Sequence, residues 1–282
     1  MTQFLSLRAA IEQHVPDGAC VALEGFTHLI PFAAGHEIIR QARRALHLVR
    51  MTPDLVYDQM IGMGCATRLT FSWGGNPGVG SLHRLRDAVE NGWPLPLELD
   101  EHTHAGMAAA YCAGAARLPF GTLRGYIGTD LVAANPRIRS VDCPFTGERL
   151  AAVPAINPDV TILHAQRADR EGNVALHGIV GAQREAALAA RVLVVTVEEV
   201  VESLPPAMNS IVLPHWVVSA VSHCPGGAYP AYAQGYYGRD NAFYQRWDSI
   251  ARERDGFREW MRRHVLESRD HGGFLASLRG AA

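Results

Sequence analysis

Residues 17–31 read DGACVALEGFTHLIP. Asp17-Gly18 is a turn pair, Ala19 to Leu23 an apolar run, and Glu24-Gly25-Phe26 a glycine turn that leads to a proline. This order predicts a strand, a close backbone approach at Gly25 and a helix that starts at Pro31. A strand, a glycine turn and a helix start aim free backbone N–H groups into a crevice, where they suit an anion.

The same alternation continues outward from this segment. Short apolar runs predict strands at 20–24, 47–51, 69–72, 97–100, 160–165, 192–197 and 217–221. Helical patterns fall at 7–14, with Ser6 as N-cap, and at 32–44, 82–90, 106–117, 182–190, 241–254 and 256–266. The fold class is therefore α/β, a mostly parallel open sheet flanked by helices on both faces. Such sheets carry their chemistry in loops beyond the carboxyl ends of the strands. A single domain over 1–282 is expected, with a two-domain split as the alternative. Residues 134–158 are rich in proline and form either a long excursion or paired short strands.

With 282 residues and 48% hydrophobic side chains the chain can bury a large core. Its net charge of −2 gives no electrostatic reason for nucleic acid or an anionic membrane as partner. The five cysteines, Cys20, Cys65, Cys112, Cys143 and Cys224, stand singly and are expected as buried, reduced thiols. The segment MTQFLSLRAA has no basic stretch followed by an apolar core, and no apolar run approaches the roughly 20 residues of a membrane helix. A cytoplasmic protein is expected.

Several further stretches could carry chemistry. Residues 71–81, FSWGGNPGVGS, follow a strand and precede a helix. The loop is either a tight structural turn or the wall of an acyl or pantetheine pocket; it has neither the Walker nor the Rossmann spacing. Residues 98–104, ELDEHTH, set carboxylates and imidazoles side by side at a strand end. They suit proton transfer, although a solvated strand end reads the same way, and the HxH pair alone is weak evidence for metal. Arg124, in LPFGTLRGYIGTD, either meets a carboxylate or phosphate through its fork of donors or pairs with a surface acid. HAQRADREGN at 164–173 reads as a fixed turn. The segment 226–266 is rich in tyrosine and tryptophan, as a subunit contact or as a flap folded back on its own sheet.

Taken in order, these segments resemble the A subunits of family I CoA-transferases. The family's usual signature is a turn, a strand, Gly-Gly-Phe, a spacer and a proline; here Glu24 stands for the first glycine and the spacer is one residue short. Glu101-His102-Thr103-His104 is similar to the family's Glu-(aromatic or His)-Ser-(Asn or His), and the stretches around Arg124 and Asp169 are similar as well. VRMTPDLVYD, FSWGGNPGVGSLHRLRDAVE and GYYGRDNAFYQRWDSIARERD resemble those members that act on 3-oxoadipate.

The resemblance implies a CoA-transferase-like fold and activity only with a B subunit, in an A2B2 or larger hetero-oligomer. A glutamate of that partner would attack succinyl-CoA and pass through an anhydride to a glutamyl-CoA thioester. A dicarboxylic 3-oxoacid would then take the CoA by the reverse steps. No metal and no bound cofactor is implied, the CoA thioester being a substrate. Gly25, Phe26 and Thr27 would bind the oxyanion and CoA. Trp73, Gly74, Gly75, Asn76, His102 and Arg124 would line the substrate, and Glu101 would support catalysis. The family's nucleophile sits in Ser-Glu-Asn-Gly; here Val89-Glu90-Asn91-Gly92 lacks the serine and reads as a helix stop. The rivals are a hydrolase of the same fold in which Glu101 activates water, a sugar-phosphate isomerase or deaminase, and a non-catalytic stabilising subunit.

Overall fold

The computed structural model describes residues 1–77, 79–205 and 207–279. Among these the strands are β1 (Gln3–Phe4), β2 (Cys20–Leu23), β3 (Leu46–Val49), β4 (Ala66–Phe71), β5 (Glu98–Glu101), β6 (Phe120–Leu123), β7 (Arg139–Asp142), β8 (Arg149–Pro154), β9 (Val160–Asp169), β10 (Val174–His177), β11 (Val192–Val201), β12 (Ser210–Leu213) and β13 (Ala220–His223). The main sheet runs β1-β13-β11-β9-β2-β3-β4-β5, and every neighbouring pair along that path is parallel. β10 and β12 extend it antiparallel beyond β9. β6, β8 and β7 form a separate antiparallel sheet.

The strand order explains where a site belongs. From β2 the chain steps outward through β3 and β4 to β5, and later returns to lay β9 on the other side of β2. β2 and β9 are therefore the pair at which the order reverses. Their carboxyl ends open a crevice between connections that leave in opposite directions.

Helices cover both faces. On one, Val21, Leu23, Leu48 and Leu69 pack with the helices Leu7–His14, Phe32–Arg40, Leu55–Gly62 and Asn241–Arg252. On the other, Ala22 and Val49 meet Met107 and Tyr111 of the helix His104–Ala115 and Ala186 of Gln183–Ala189. The small sheet packs on the outer side of His104–Ala115 through Tyr126, Ile138, Ala151 and Val153. Strands buried on both faces cannot alternate, which is why β2 reads as the continuous run CVAL.

Several boundaries move, each for a local reason. The helix expected over 32–44 ends at Arg40, because Ala42 turns left-handed at φ 53 and the Arg43 amide reaches back to the Ile38 carbonyl. The helix Leu55–Gly62 carried no periodic signal: all of its residues are buried, so it has no polar face. The last strand is Ala220–His223 rather than 217–221, since a turn bonding the Val217 amide to the Pro214 carbonyl occupies its start. Residues 139–154 supply two strands of the small sheet. Ser6 does cap the first helix, accepting from the Ala9 amide at 3.2 Å. Phe243, Tyr244 and Trp247 are buried against the chain's own core. The expectation of buried thiols holds for Cys65 and Cys224; Cys20 and Cys143 are only half-buried, and Cys112 lies exposed on the helix side that faces a cavity.

Candidate active site

The crevice is built on the loop that follows β2. Gly25 is needed there because a Cβ would stand 2.7 Å from the Leu29 carbonyl oxygen and 2.9 Å from the Ile30 Cα. Without a side chain at 25, residues 26–30 fold back tightly over it. Thr27 and Leu29 are left-handed, at φ 59 and 52, a conformation that costs about 1–2 kcal/mol for each residue with a Cβ. The surroundings hold them so. The Leu29 amide donates to the Tyr232 carbonyl at 3.0 Å, and the buried His28 ring lies 4.6 Å from that of Tyr232. His28 Nε2 accepts from the Gln234 amide at 2.9 Å, so Nδ1 carries the proton and donates to the Ile179 carbonyl at 3.1 Å. Burial lowers its pKa further, which keeps the ring neutral. The amides of Phe26, Thr27 and His28 find no acceptor among the described residues.

Beneath the loop, Glu24 is buried, with its Oε1 accepting from the Met51 amide at 3.0 Å and from the Tyr111 hydroxyl at 2.8 Å. Burial raises its pKa against the opposing pull of Arg50 and Tyr111. Glu24 thus joins the ends of β2 and β3 to the helix His104–Ala115 and lines neither of the cavities described next. Arg50 donates to the Gly25 carbonyl at 2.8 Å and to Asp54 at 3.0 Å. Met51 passes the link on: its carbonyl accepts from the Ser72 hydroxyl at 2.6 Å and from the Ser72 and Trp73 amides. Because Ser72 gives its proton to Met51, His104 Nδ1 is the donor in its 3.2 Å contact with Ser72.

Two cavities open above this frame. One, of about 230 Å³, is bounded by Phe26, Thr27, Arg50, Asp54, Trp73 and Arg239, among others, and holds the charged groups. The other, of about 390 Å³, is mostly apolar, with Met51, Ala108, Cys112, Ile179, Val180 and Glu185 in its wall. Phe26 and His104 line both, so the cavities meet at these two residues.

The sequence-predicted residues separate accordingly. Phe26, Thr27 and Trp73 come together at the crevice, with Gly25 directly beneath. Gly75 lies under the Trp73 indole, which a Cβ there would meet at 2.6 Å, and Gly74 packs against Pro53 and Leu85. Asn76 is buried and donates to the Tyr244 carbonyl at 2.8 Å, tying the glycine-rich loop to the helix Asn241–Arg252. Glu101 stands exposed at the carboxyl end of β5 and lines neither cavity. His102 points to the other side of the sheet, where its Nε2 meets Asp100 at 3.1 Å and its Nδ1 the Tyr126 hydroxyl at 3.3 Å. Burial opposes ionisation of Asp100, but His102, Asn135 and Arg137 outweigh it and hold that carboxyl well below the usual range. Arg124 lies on the surface in a two-pronged pair with Glu148, at 2.6 and 2.8 Å, which is the plainer of its two readings. Glu90 is exposed and pairs with Arg86, while Gly92 closes its helix at φ 66.

Sequence reasoning missed Arg50, Asp54, Arg239 and Tyr244 and passed over His104 in favour of His102. One signal was available. Arg50 directly follows a buried apolar strand, at the carboxyl end where crevices form. Among the described residues no three His, Cys, Asp or Glu side chains gather as a metal ion requires, and no helix is long and apolar enough to cross a membrane.

Comparison with known proteins places this geometry. Residues 4–223 match the Coenzyme A transferase family. The chain is 63% identical over 99% of its length to the A subunit of 3-oxoadipate CoA-transferase from Pseudomonas knackmussii, of which it covers 99%. Among solved structures it is similar to glutaconate coenzyme A-transferase of Acidaminococcus fermentans, with a TM-score of 0.92 at 28% identity over 99% of this chain and 94% of that one. It is also similar to the AibA/AibB decarboxylase, with a TM-score of 0.82 at 31% identity over 93% and 99%.

Proposed function

Since the chain belongs to the coenzyme A transferase family, we propose that it is the A subunit of an enzyme that moves CoA from succinyl-CoA to 3-oxoadipate. It works with a B subunit that supplies the nucleophilic glutamate. The identity to a relative of that name, across both full lengths, supports the acid and the need for a partner. One observation of the site carries the reading. An apolar cavity and a charged one meet beside unpaired amides, and the carboxylates in their walls are Asp54, engaged by Arg50, and Glu185. The crevice offers both pockets and the oxyanion donors, which supports a reading in which the partner brings the attacking carboxylate.

The partner's glutamate attacks the succinyl-CoA carbonyl, forming an anhydride and releasing CoA thiolate. The thiolate attacks the glutamyl carbonyl, which frees succinate and leaves a glutamyl-CoA thioester. A carboxylate of 3-oxoadipate attacks that thioester, and the thiolate returns to the new acyl group, regenerating the glutamate. Each attack develops an oxyanion, for which the Phe26 and Thr27 amides are preplaced donors. The apolar cavity takes the pantetheine arm and keeps water from the thioester. Glu101, exposed at the end of β5, reaches the reacting groups once the partner closes over the crevice.

Co-expression with the B subunit tests the proposal. The purified pair should transfer CoA from succinyl-CoA to 3-oxoadipate, and hydroxylamine should trap the thioester on the partner. Hydrolysis of acyl-CoA without an acceptor, or a trapped glutamate at Glu90 of this chain, refutes it.

A further inference from the structure

The charged cavity holds more polar capacity than its own contacts use. Arg50 and Asp54, each about 99% or 98% buried, neutralise one another at 3.0 Å. Yet Arg50 Nε and Asp54 Oδ2 are buried with no partner among the described residues. Across the cavity, Arg239 lies with its guanidinium carbon 3.9 Å from the centre of the Tyr244 ring and donates through Nη2 to the Pro77 carbonyl at 3.0 Å. Its Nε is also buried and unpartnered, and it has no carboxylate partner among the described residues. Arg239 thus presents to the cavity a guanidinium held over an aromatic face, outside any ion pair among the described residues and with donors to spare.

A guanidinium outside an ion pair, with its Nε buried and unpartnered, is matched by a ligand carboxylate through two parallel hydrogen bonds. We propose that Arg239, held by Tyr244 and Pro77, is the specificity-determining residue that reads the distal carboxylate of a dicarboxylic acyl group. This rests on the transferase reading for its place in the reaction, since the other carboxylate of the same acid lies at the Phe26–His104 junction where the cavities meet. A monocarboxylic acid of equal length leaves Arg239 unpaired and binds less well. Arg50 is neutralised by Asp54 and commits its two terminal nitrogens to Asp54 and the Gly25 carbonyl, so it builds the wall while Arg239 discriminates.

Equilibrium binding of adipate and of hexanoate to the chain assembled with its B subunit tests the subsite without any turnover. Wild type should prefer adipate, and Arg239→Leu should lower that preference roughly 10- to 100-fold, the range of a charge-assisted pair. Arg239→Lys should fall between, because the ammonium keeps the charge but loses the fork and the ring contact; it also carries the test if the leucine variant does not assemble. No preference in wild type, or an unchanged ratio in assembled variants, overturns the proposal. A complex that prefers adipate but transfers no CoA overturns the transferase reading and leaves this subsite standing.

Discussion

Replacing Gly25 with alanine displaces the oxyanion-binding amides while leaving every side chain of the crevice in the sequence. The added Cβ would stand 2.7 Å from the Leu29 carbonyl oxygen, where 3.4 Å begins ordinary contact. The loop must therefore give by about 0.7 Å. Both sides of the clash are backbone, so no rotamer change relieves it. Residues 26–30 are pinned at the far end by the Leu29 and His28 contacts to Tyr232, Gln234 and Ile179, which directs the movement into Phe26 and Thr27. Overpacking of this kind costs about 1–3 kcal/mol of stability. A donor misplaced by about 1 Å costs on the order of 100-fold in rate. The assembled Gly25→Ala enzyme should thus keep its far-ultraviolet circular dichroism and lose about 100-fold in kcat for CoA transfer, with KM for the acid changed far less. Steady-state kinetics on the co-purified complex measures this. A variant that assembles and turns over at the wild-type rate would show that the loop amides do not bind the developing charge.

Three further outcomes follow from the same frame. Glu24→Ala orphans the Met51 amide and the Tyr111 hydroxyl and should destabilise the chain by about 2–4 kcal/mol, whereas Glu24→Gln keeps an acceptor for both and should cost far less; urea unfolding that finds the two equally stable contradicts the network. Glu101→Gln should leave assembly intact and lower transfer about tenfold, and unchanged kinetics would remove Glu101 from the site. Asp87 is held at about 2, below its usual 3.8, first by the fork of Arg254 and also by Asn91 and Arg84. A depressed carboxylate stabilises the fold above its unfolded pKa and loses that contribution as pH falls from about 4 to 2. Solvent screening reduces it to about 1 kcal/mol, so Asp87→Asn should be less stable than wild type at pH 6 and converge with it at pH 2 in unfolding titrations; a constant gap would contradict the pairing.

Strands β2, β3, β4, β9 and β11 were legible because they are short apolar runs set off by turn residues, and that signal is local. The glycine at 25 was legible for the same reason, as a break between a strand and a helix start. The all-buried helix Leu55–Gly62 was not, since periodicity needs a polar face to show itself. Among the site residues, Glu101 and His102 are adjacent in the chain yet leave the sheet on opposite sides, a consequence of strand alternation that makes His102 a partner of Asp100. Arg124, with the same composition of neighbours as a ligand-binding arginine, meets Glu148 across a strand pair instead.

The amino-acid order alone determined the layered α/β class, the crevice loop after β2 and the absence of a serine before Glu90. Each depends on residues within a few positions of one another. The tertiary structure decided which charges meet. Arg50 and Arg239 are far apart in the chain and line one cavity because the Arg239–Pro77 and Asn76–Tyr244 hydrogen bonds bring the segment around the helix Asn241–Arg252 onto the glycine-rich loop. Burial then sets what each group can do. It pairs Arg50 with Asp54, makes Glu24 a brace between Met51 and Tyr111, and leaves Arg239 without a carboxylate among the described residues.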